Sequence, residues 1–245
     1  MNKILQFCLL LAFLYSNHIT AQISSGSMTM KITDFEMTSA KSKEVSDQMA
    51  GFFNDMSLQT QFRPGEYVTS MSLMGMEMNM FYKDKMMEQY MDLMGQKMLI
   101  KINLDEINRW GFDIEQLKEI YQVSYDKTDT KEFFGLTCYR TDITIDITKM
   151  ARGNDIPEEM QQMSMVAYIT DEVHLDQYHF REFQGLELNG FPFYMKMNTS
   201  IMNLTYEVTE FTKSINEEAF KRPTGDYKEI SAEDWKKMGF GDFGF

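Results

Sequence analysis

Met202-Asn203-Leu204-Thr205-Tyr206-Glu207-Val208-Thr209 places an apolar side chain at every second position and a polar one between. A strand turns successive side chains to opposite faces, so this period of two marks a strand with one buried and one wet face. The pattern recurs along the chain. Met28, Met30 and Ile32 alternate with Thr29, Lys31 and Thr33. Met98, Ile100, Ile102 and Leu104 share one parity, and Ile143, Ile145 and Ile147 alternate with Asp142, Thr144, Asp146 and Thr148. Parallel sheets buried on both faces read as continuous apolar runs; clean alternation belongs to antiparallel strands. The fold class is therefore mainly β, built on an antiparallel sheet with few helices.

Short breaks divide the runs. Arg63-Pro64-Gly65 leads into a long strand, and Lys83-Asp84 and Met94-Gly95-Gln96 read as hairpin turns. Three or four strands between Tyr67 and Leu104 then form a meander. Around Met74-Gly75 the apolar parity changes from odd (Met71, Leu73) to even (Met74, Met76, Met78, Met80), which a bulge at Gly75 or a tight turn there would produce. Helical spacing occurs at Val45, Met49, Phe52, Phe53 and Met56, with Ser42 as N-cap, and at Ile114, Leu117, Ile120 and Tyr121. Ser231 followed by Asp234 opens a third short helix through Trp235 and Met238.

The first 22 residues have the layout of an export signal. Lys3 precedes an apolar run from Ile4 to Tyr15, and a polar stretch ends in small residues near Ala21. That run is shorter than the ~20 residues a bilayer requires. Cys8 lies inside it behind Leu5, Gln6 and Phe7, not behind the small residues of a lipid-attachment site. The expected organisation is a signal peptide over 1–22, one β domain over 23–238 and a flexible tail over 239–245. The expected location is the periplasm or the cell exterior, and the protein is not expected to be integral to a membrane.

Charge excludes some functions. With 24 Lys+Arg against 37 Asp+Glu the formal charge is −13, which opposes nucleic acid, since binding there depends on basic groups neutralising phosphates. His174 and His179 stand five apart beside Glu172, Asp176 and Glu182, a spacing that aligns them on neither a helix face nor a strand face. The pairs Glu158-Glu159 and Glu217-Glu218 read as solvated surface. No glycine-rich phosphate loop and no G-x-S-x-G elbow occurs, so no catalytic residue and no cofactor is assigned. Cys138, the cysteine that follows the signal, sits between strand-like neighbours with no nearby histidine, which points to a buried, slow-reacting thiol.

The 24 methionines have two readings. Thioethers select Cu(I), whereas Met also fills cores and lines adaptable apolar surfaces. They are spread along the chain and share faces with Ile, Leu and Phe, and residues alternating along one strand stand ~6.6 Å apart. The ladder Met74, Met76, Met78 and Met80 therefore suits an apolar lining better than a metal cage.

Three stretches resemble a group of exported bacterial proteins that includes the GLPGLI family. Thr130-Lys131-Glu132-Phe133-Phe134-Gly135-Leu136-Thr137-Cys138-Tyr139-Arg140 is similar to its "tK-x-x-x-G-x-x-C-x-[KR]" strand entry. Tyr168-Ile169-Thr170-Asp171-Glu172 followed by Gly190-Phe191-Pro192-Phe193-Tyr194-Met195-Lys196-Met197 resembles its middle pair of strands, with GFPF standing where that family has GLPG. Ala219-Phe220-Lys221-Arg222-Pro223-Thr224-Gly225-Asp226-Tyr227 looks like its closing F-x-x-P-x-G-Y, with Asp226 interposed. The resemblance implies a half-barrel like those of periplasmic lipoprotein carriers, in which a curved antiparallel sheet cups an apolar cavity under short helices. The 42–56 helix would then be a lid.

Taken together these readings favour a non-enzymatic binder of a hydrophobic small molecule or lipid. Met74, Met76, Met78, Met80, Met98, Ile100 and Ile102 are the candidate lining of its concave face. The alternatives are an interaction protein whose core is filled by its own side chains and, more weakly, a Met-based Cu(I) binder.

Overall fold

The computed structural model describes residues 22–38, 51, 56–73, 76–103, 120–146, 148, 162–174, 188, 190–199, 202–231 and 234. These form one open, curved sheet. Its strands are β1 (Gly26–Met37), β2 (Ser57–Arg63), β3 (Glu66–Leu73), β4 (Met76–Lys83), β5 (Met86–Leu93), β6 (Gln96–Asn103), β7 (Tyr121–Phe133), β8 (Leu136–Asp146), β9 (Gln162–Thr170), β10 (Phe191–Asn198), β11 (Met202–Thr212) and β12 (Lys228–Glu229). The spatial order is β12-β6-β5-β4-β3-β2-β1-β11-β10-β9-β8-β7. Each neighbouring pair is antiparallel except β12, which lies parallel to β6. The alternating runs at 28–32, 98–102, 143–145 and 202–208 all fall in strands, as their period requires.

The meander expected between Tyr67 and Leu104 is β3 to β6, with β2 added in front. Its turns refine the sequence reading. The β4–β5 turn is Asp84-Lys85, one residue later than expected, with φ of 50° and 63°. Met94 and Gly95 between β5 and β6 have φ of 53° and 90°. Positive φ at both central residues is the two-residue hairpin geometry whose twist matches the flanking strands. Phe134-Gly135, which the sequence reading did not single out as a turn, joins β7 to β8 in the same way, with φ of 54° and 76°. Leu73 pairs with Met76. The parity change therefore falls between two separate strands, β3 ending at Leu73 and β4 beginning at Met76.

Tyr121, expected to close a helix from 114, instead opens β7 opposite Ile145. A residue at that register position gains a ladder of backbone bonds with β8, which outweighs a four-residue helical pattern. Of that helix Ile120 is described and is helical and buried; of the 42–56 helix Gly51 is described and is helical, and Met56 is described and lies outside any helix. Leu104, Ile147, His179, the tail over 239–245 and the signal segment before Gln22 lie outside the described residues. At the third expected helix the backbone N–H of Asp234 donates to Ser231 Oγ at 3.1 Å, the N-cap contact the sequence implied. Among the described residues no helix is long and apolar enough to cross a membrane.

Among the described residues three apolar clusters hold the sheet, the smallest being Val68, Phe81 and Phe220. The first runs from Met98, Ile100 and Ile102 on β6 through Tyr82, Tyr67, Phe62 and Met28 to Cys138 and Phe193. The second joins Ile143 and Ile145 of β8 to Met165, Ala167 and Ile169 of β9 and Met195 of β10. Gly190 precedes β10 at φ 154°, where a Cβ would stand 2.4 Å from the carbonyl oxygen of Thr170. Only glycine lets the two backbones approach so closely.

Candidate functional site

Register assigns every side chain of the β2–β6 meander to one of two faces. One face carries Leu58, Thr60 and Phe62 of β2, Tyr67, Thr69 and Met71 of β3, and Met76, Met78, Met80 and Tyr82 of β4. Across β5 and β6 it continues with Met87, Gln89, Met91 and Leu93, then Gln96, Met98, Ile100 and Ile102. Among the described residues of β2–β6 no charged one lies on it. Glu66, Lys83, Glu77, Glu88, Asp92, Lys97 and Lys101 all point the other way, because their parity is opposite.

The uncharged face is organised in rungs that cross the strands. Phe62, Tyr67, Tyr82, Met87 and Ile102 form one rung, every member 5% exposed or less. Its Tyr67 and Tyr82 rings stack at 4.9 Å between centroids. The next rung is Thr60, Thr69, Met80, Gln89 and Ile100, and all but Ile100 are only half-buried. Thr60 Oγ1 and Thr69 Oγ1 share a hydrogen bond of 2.9 Å. The third rung is Leu58, Met71, Met78, Met91 and Met98. The Gln89 amide nitrogen reaches into it, donating to Met78 Sδ at 2.8 Å and lying 3.4 Å from Met91 Sδ. A strip of hydrogen-bonding groups thus runs across an otherwise apolar, charge-free surface.

Of the expected lining residues, Met78, Met80, Met98, Ile100 and Ile102 lie together in the first cluster on this face. Met98, Ile100 and Ile102 are core, while Met78 and Met80 are half-buried at the surface of the cluster. Met76 shares the face at its end, opposite Leu93. Met74 lies outside the described residues. The sequence reading missed Thr60, Thr69 and Gln89. A signal for them exists: each is the single polar residue in a column of apolar parity, as in Leu58-x-Thr60-x-Phe62, Tyr67-x-Thr69-x-Met71 and Met87-x-Gln89-x-Met91.

The opposite face of the meander is occupied by the chain's own C-terminal segment. Phe220, from the 3₁₀ turn Glu217–Phe220, packs on Val68 and Phe81. Arg222 lies 4.6 Å over the Phe81 ring and bonds Glu88 at 2.8 Å and Glu66 at 3.2 Å. Burial pushes the Glu66 carboxyl up, but bonds from Arg63 and Arg222 outweigh it and hold it below the usual range. Arg63, Glu66, Arg222 and Glu88 thus close on one another.

Cys138 is fully buried and its thiol is pushed up to about 12, first by burial and then by the charge of Glu172. His174 is exposed and enters the structure through its backbone N–H, which donates to the Ile23 carbonyl. Among the described residues no group of three His, Cys, Asp or Glu side chains is placed to hold a metal.

No protein-family model matches the sequence, and no curated protein matches it. Solved structures of similar form exist. The Mycobacterium tuberculosis lipoprotein LppX is 10% identical with a TM-score of 0.39, over 85% of this chain and 97% of that one. LprF from Mycobacterium bovis is 10% identical with a TM-score of 0.34, over 84% of this chain and 92% of that one. A DUF1329 family protein from Desulfovibrio piger is 7% identical with a TM-score of 0.30, over 88% of this chain and 95% of that one. At such distances the likeness is one of general sheet form.

Proposed function

We propose that this chain is a non-enzymatic exported binding protein that holds a neutral amphiphile, such as an esterified acyl lipid, against the uncharged face of β2–β6. The observation that carries the reading is the half-exposed strip of Thr60, Thr69 and Gln89 between an apolar rung and a methionine rung. Binding sites for apolar molecules are mostly hydrophobic with a few placed polar groups that fix orientation. Hydroxyl and amide groups on the strip match an ester carbonyl or a hydroxyl. An ionised carboxylate buried on the same face would find no cation there among the described side chains of β2–β6 and would bear a heavy desolvation penalty. The ligand class is therefore an ester, amide or alcohol rather than a free fatty acid anion. The apolar run after Lys3 supports export.

The test has two arms. Native mass spectrometry of protein purified from its own host should show a co-purifying neutral lipid. A fluorescent acyl ester should bind the wild type, and Q89L should weaken it about 2–10-fold, the worth of one neutral hydrogen bond of ~0.5–1.5 kcal/mol. A wild type that binds neither, or a Q89L variant that binds equally well, overturns the assignment.

A further inference from the structure

The spacing of methionines along β4 argues against a metal cage; their placement across the strands does not. Met71 pairs with Met78, Met78 with Met91, and Met91 with Met98, so four thioethers stand side by side on four neighbouring strands. Directly opposed side chains in an antiparallel pair have Cβ atoms roughly 4.5–5.5 Å apart, nearer than alternate residues along one strand. The flexible Met side chain can close that gap.

Two of the four sulfurs already converge. Met78 Sδ accepts from the Gln89 amide nitrogen at 2.8 Å, and Met91 Sδ stands 3.4 Å from the same atom. An amide N–H carries partial positive charge, so both sulfurs present lone pairs to one electropositive point. Met91 and Met98 are buried at 4% and 7% exposure, whereas Met78, Met71 and Gln89 are half-buried and give access from solvent. Neutral thioethers without a carboxylate or imidazole select soft monovalent ions over Zn²⁺, Mg²⁺ or Ca²⁺. The formal charge of −13 favours cation approach over long range.

We propose that Met78 and Met91, flanked by Met71 and Met98, form a soft-cation site for Cu(I), reached when the Gln89 amide swings aside. The site uses the methionine rung and does not depend on lipid binding.

The experiment uses Ag(I) as a redox-inert probe on the full chain labelled with ¹³C at the methionine methyl groups. Resonances are assigned by single Met→Leu variants. At one equivalent of Ag(I) the Met78 and Met91 methyl signals should shift, with native mass spectrometry showing one ion per chain. Met94, 87% exposed at a hairpin tip, should respond only in excess. The M78L/M91L variant should lose at least tenfold in affinity, and M86L/M94L should bind as the wild type does. If Met94 and Met86 respond first, or several ions load together, the methionines are adventitious ligands and the proposal fails. Because that readout is made on the wild type, it holds even if M78L/M91L folds poorly.

Discussion

Arg222 Nη1 lies 3.2 Å from Glu66 Oε1, joining the segment that follows the 3₁₀ turn to the first residue of β3 across 156 positions of sequence. Glu66 also takes bonds of 3.1 and 2.6 Å from Arg63, and Arg222 reaches Glu88 as well. Glu66 is 6% exposed while both arginines are about one-third exposed. The network anchors the C-terminal segment over the charged face and leaves the uncharged face to the site.

That anchorage should be visible in acid. The Glu66 carboxyl is held below its ordinary value, so its contribution is complete above the usual glutamate range near 4.3 and is lost as pH falls through the lower folded value. E66Q should cost about 1–3 kcal/mol at pH 7, the scale of hydrogen bonds to charged groups with partly exposed partners. The gap between wild type and E66Q should shrink as pH falls below about 4. Urea unfolding at pH 7 and pH 3 measures both; a gap that is constant with pH would mean the carboxylate is not held in this network.

Cys138 should be inert in the native state. With its thiol near 12, the thiolate fraction at pH 8 is about one in ten thousand, and the sulfur is fully buried besides. Labelling by a thiol reagent at pH 8 should proceed at the rate of local opening and accelerate sharply in denaturant. Labelling of the native protein at the speed of free cysteine would place the thiol at the surface.

Much of this architecture was legible in the residues. Alternation at 28–32, 98–102, 143–145 and 202–208 identified strands, because one-sided burial writes itself into parity. The Asp84-Lys85 and Phe134-Gly135 turns were harder to read, since Lys and Phe are poor left-handed residues and only the pairing of their flanking strands forces them there. Tyr121 was misplaced because four residues of helical spacing cannot outweigh a ladder with β8 that lies 24 residues away in sequence. The site was half legible. Met78 and Met80 belong to the right face, but Thr60, Thr69 and Gln89 come from three strands, and only register brings them onto one rung.

The β5–β6 turn offers a stabilising change. Met94 holds φ 53° with its side chain 87% exposed, a backbone conformation that costs most L-residues roughly 1–2 kcal/mol. Asp92 Oδ1 already accepts from the Gly95 N–H at 2.7 Å, closing the turn. M94N would create Asn-Gly, the preferred pair for this geometry, and should raise stability by about 0.5–1 kcal/mol in urea unfolding. An unchanged or lowered midpoint would show that the Met94 side chain makes contacts its exposure does not suggest.

Thr141 offers a sharper test of the second cluster. It is fully buried on β8, and its Oγ1 has no hydrogen-bond partner among the described residues. It shares the parity of Tyr139, Ile143 and Ile145, and it pairs with Ala167 of β9, so its neighbours on that face are apolar. A buried hydroxyl without a partner carries a desolvation cost of about 1–3 kcal/mol. T141V keeps the β-branched shape and replaces that hydroxyl with a methyl group, so it should stabilise the fold by about 1–2 kcal/mol. The strand propensity of Val acts in the same direction. To separate the two effects, T144V serves as a control, since Thr144 is exposed on the same strand; it should show the propensity gain alone and stay below the gain of T141V. A loss of stability in T141V would mean that the hydroxyl is satisfied in solution, by a buried water bridging it to the strand.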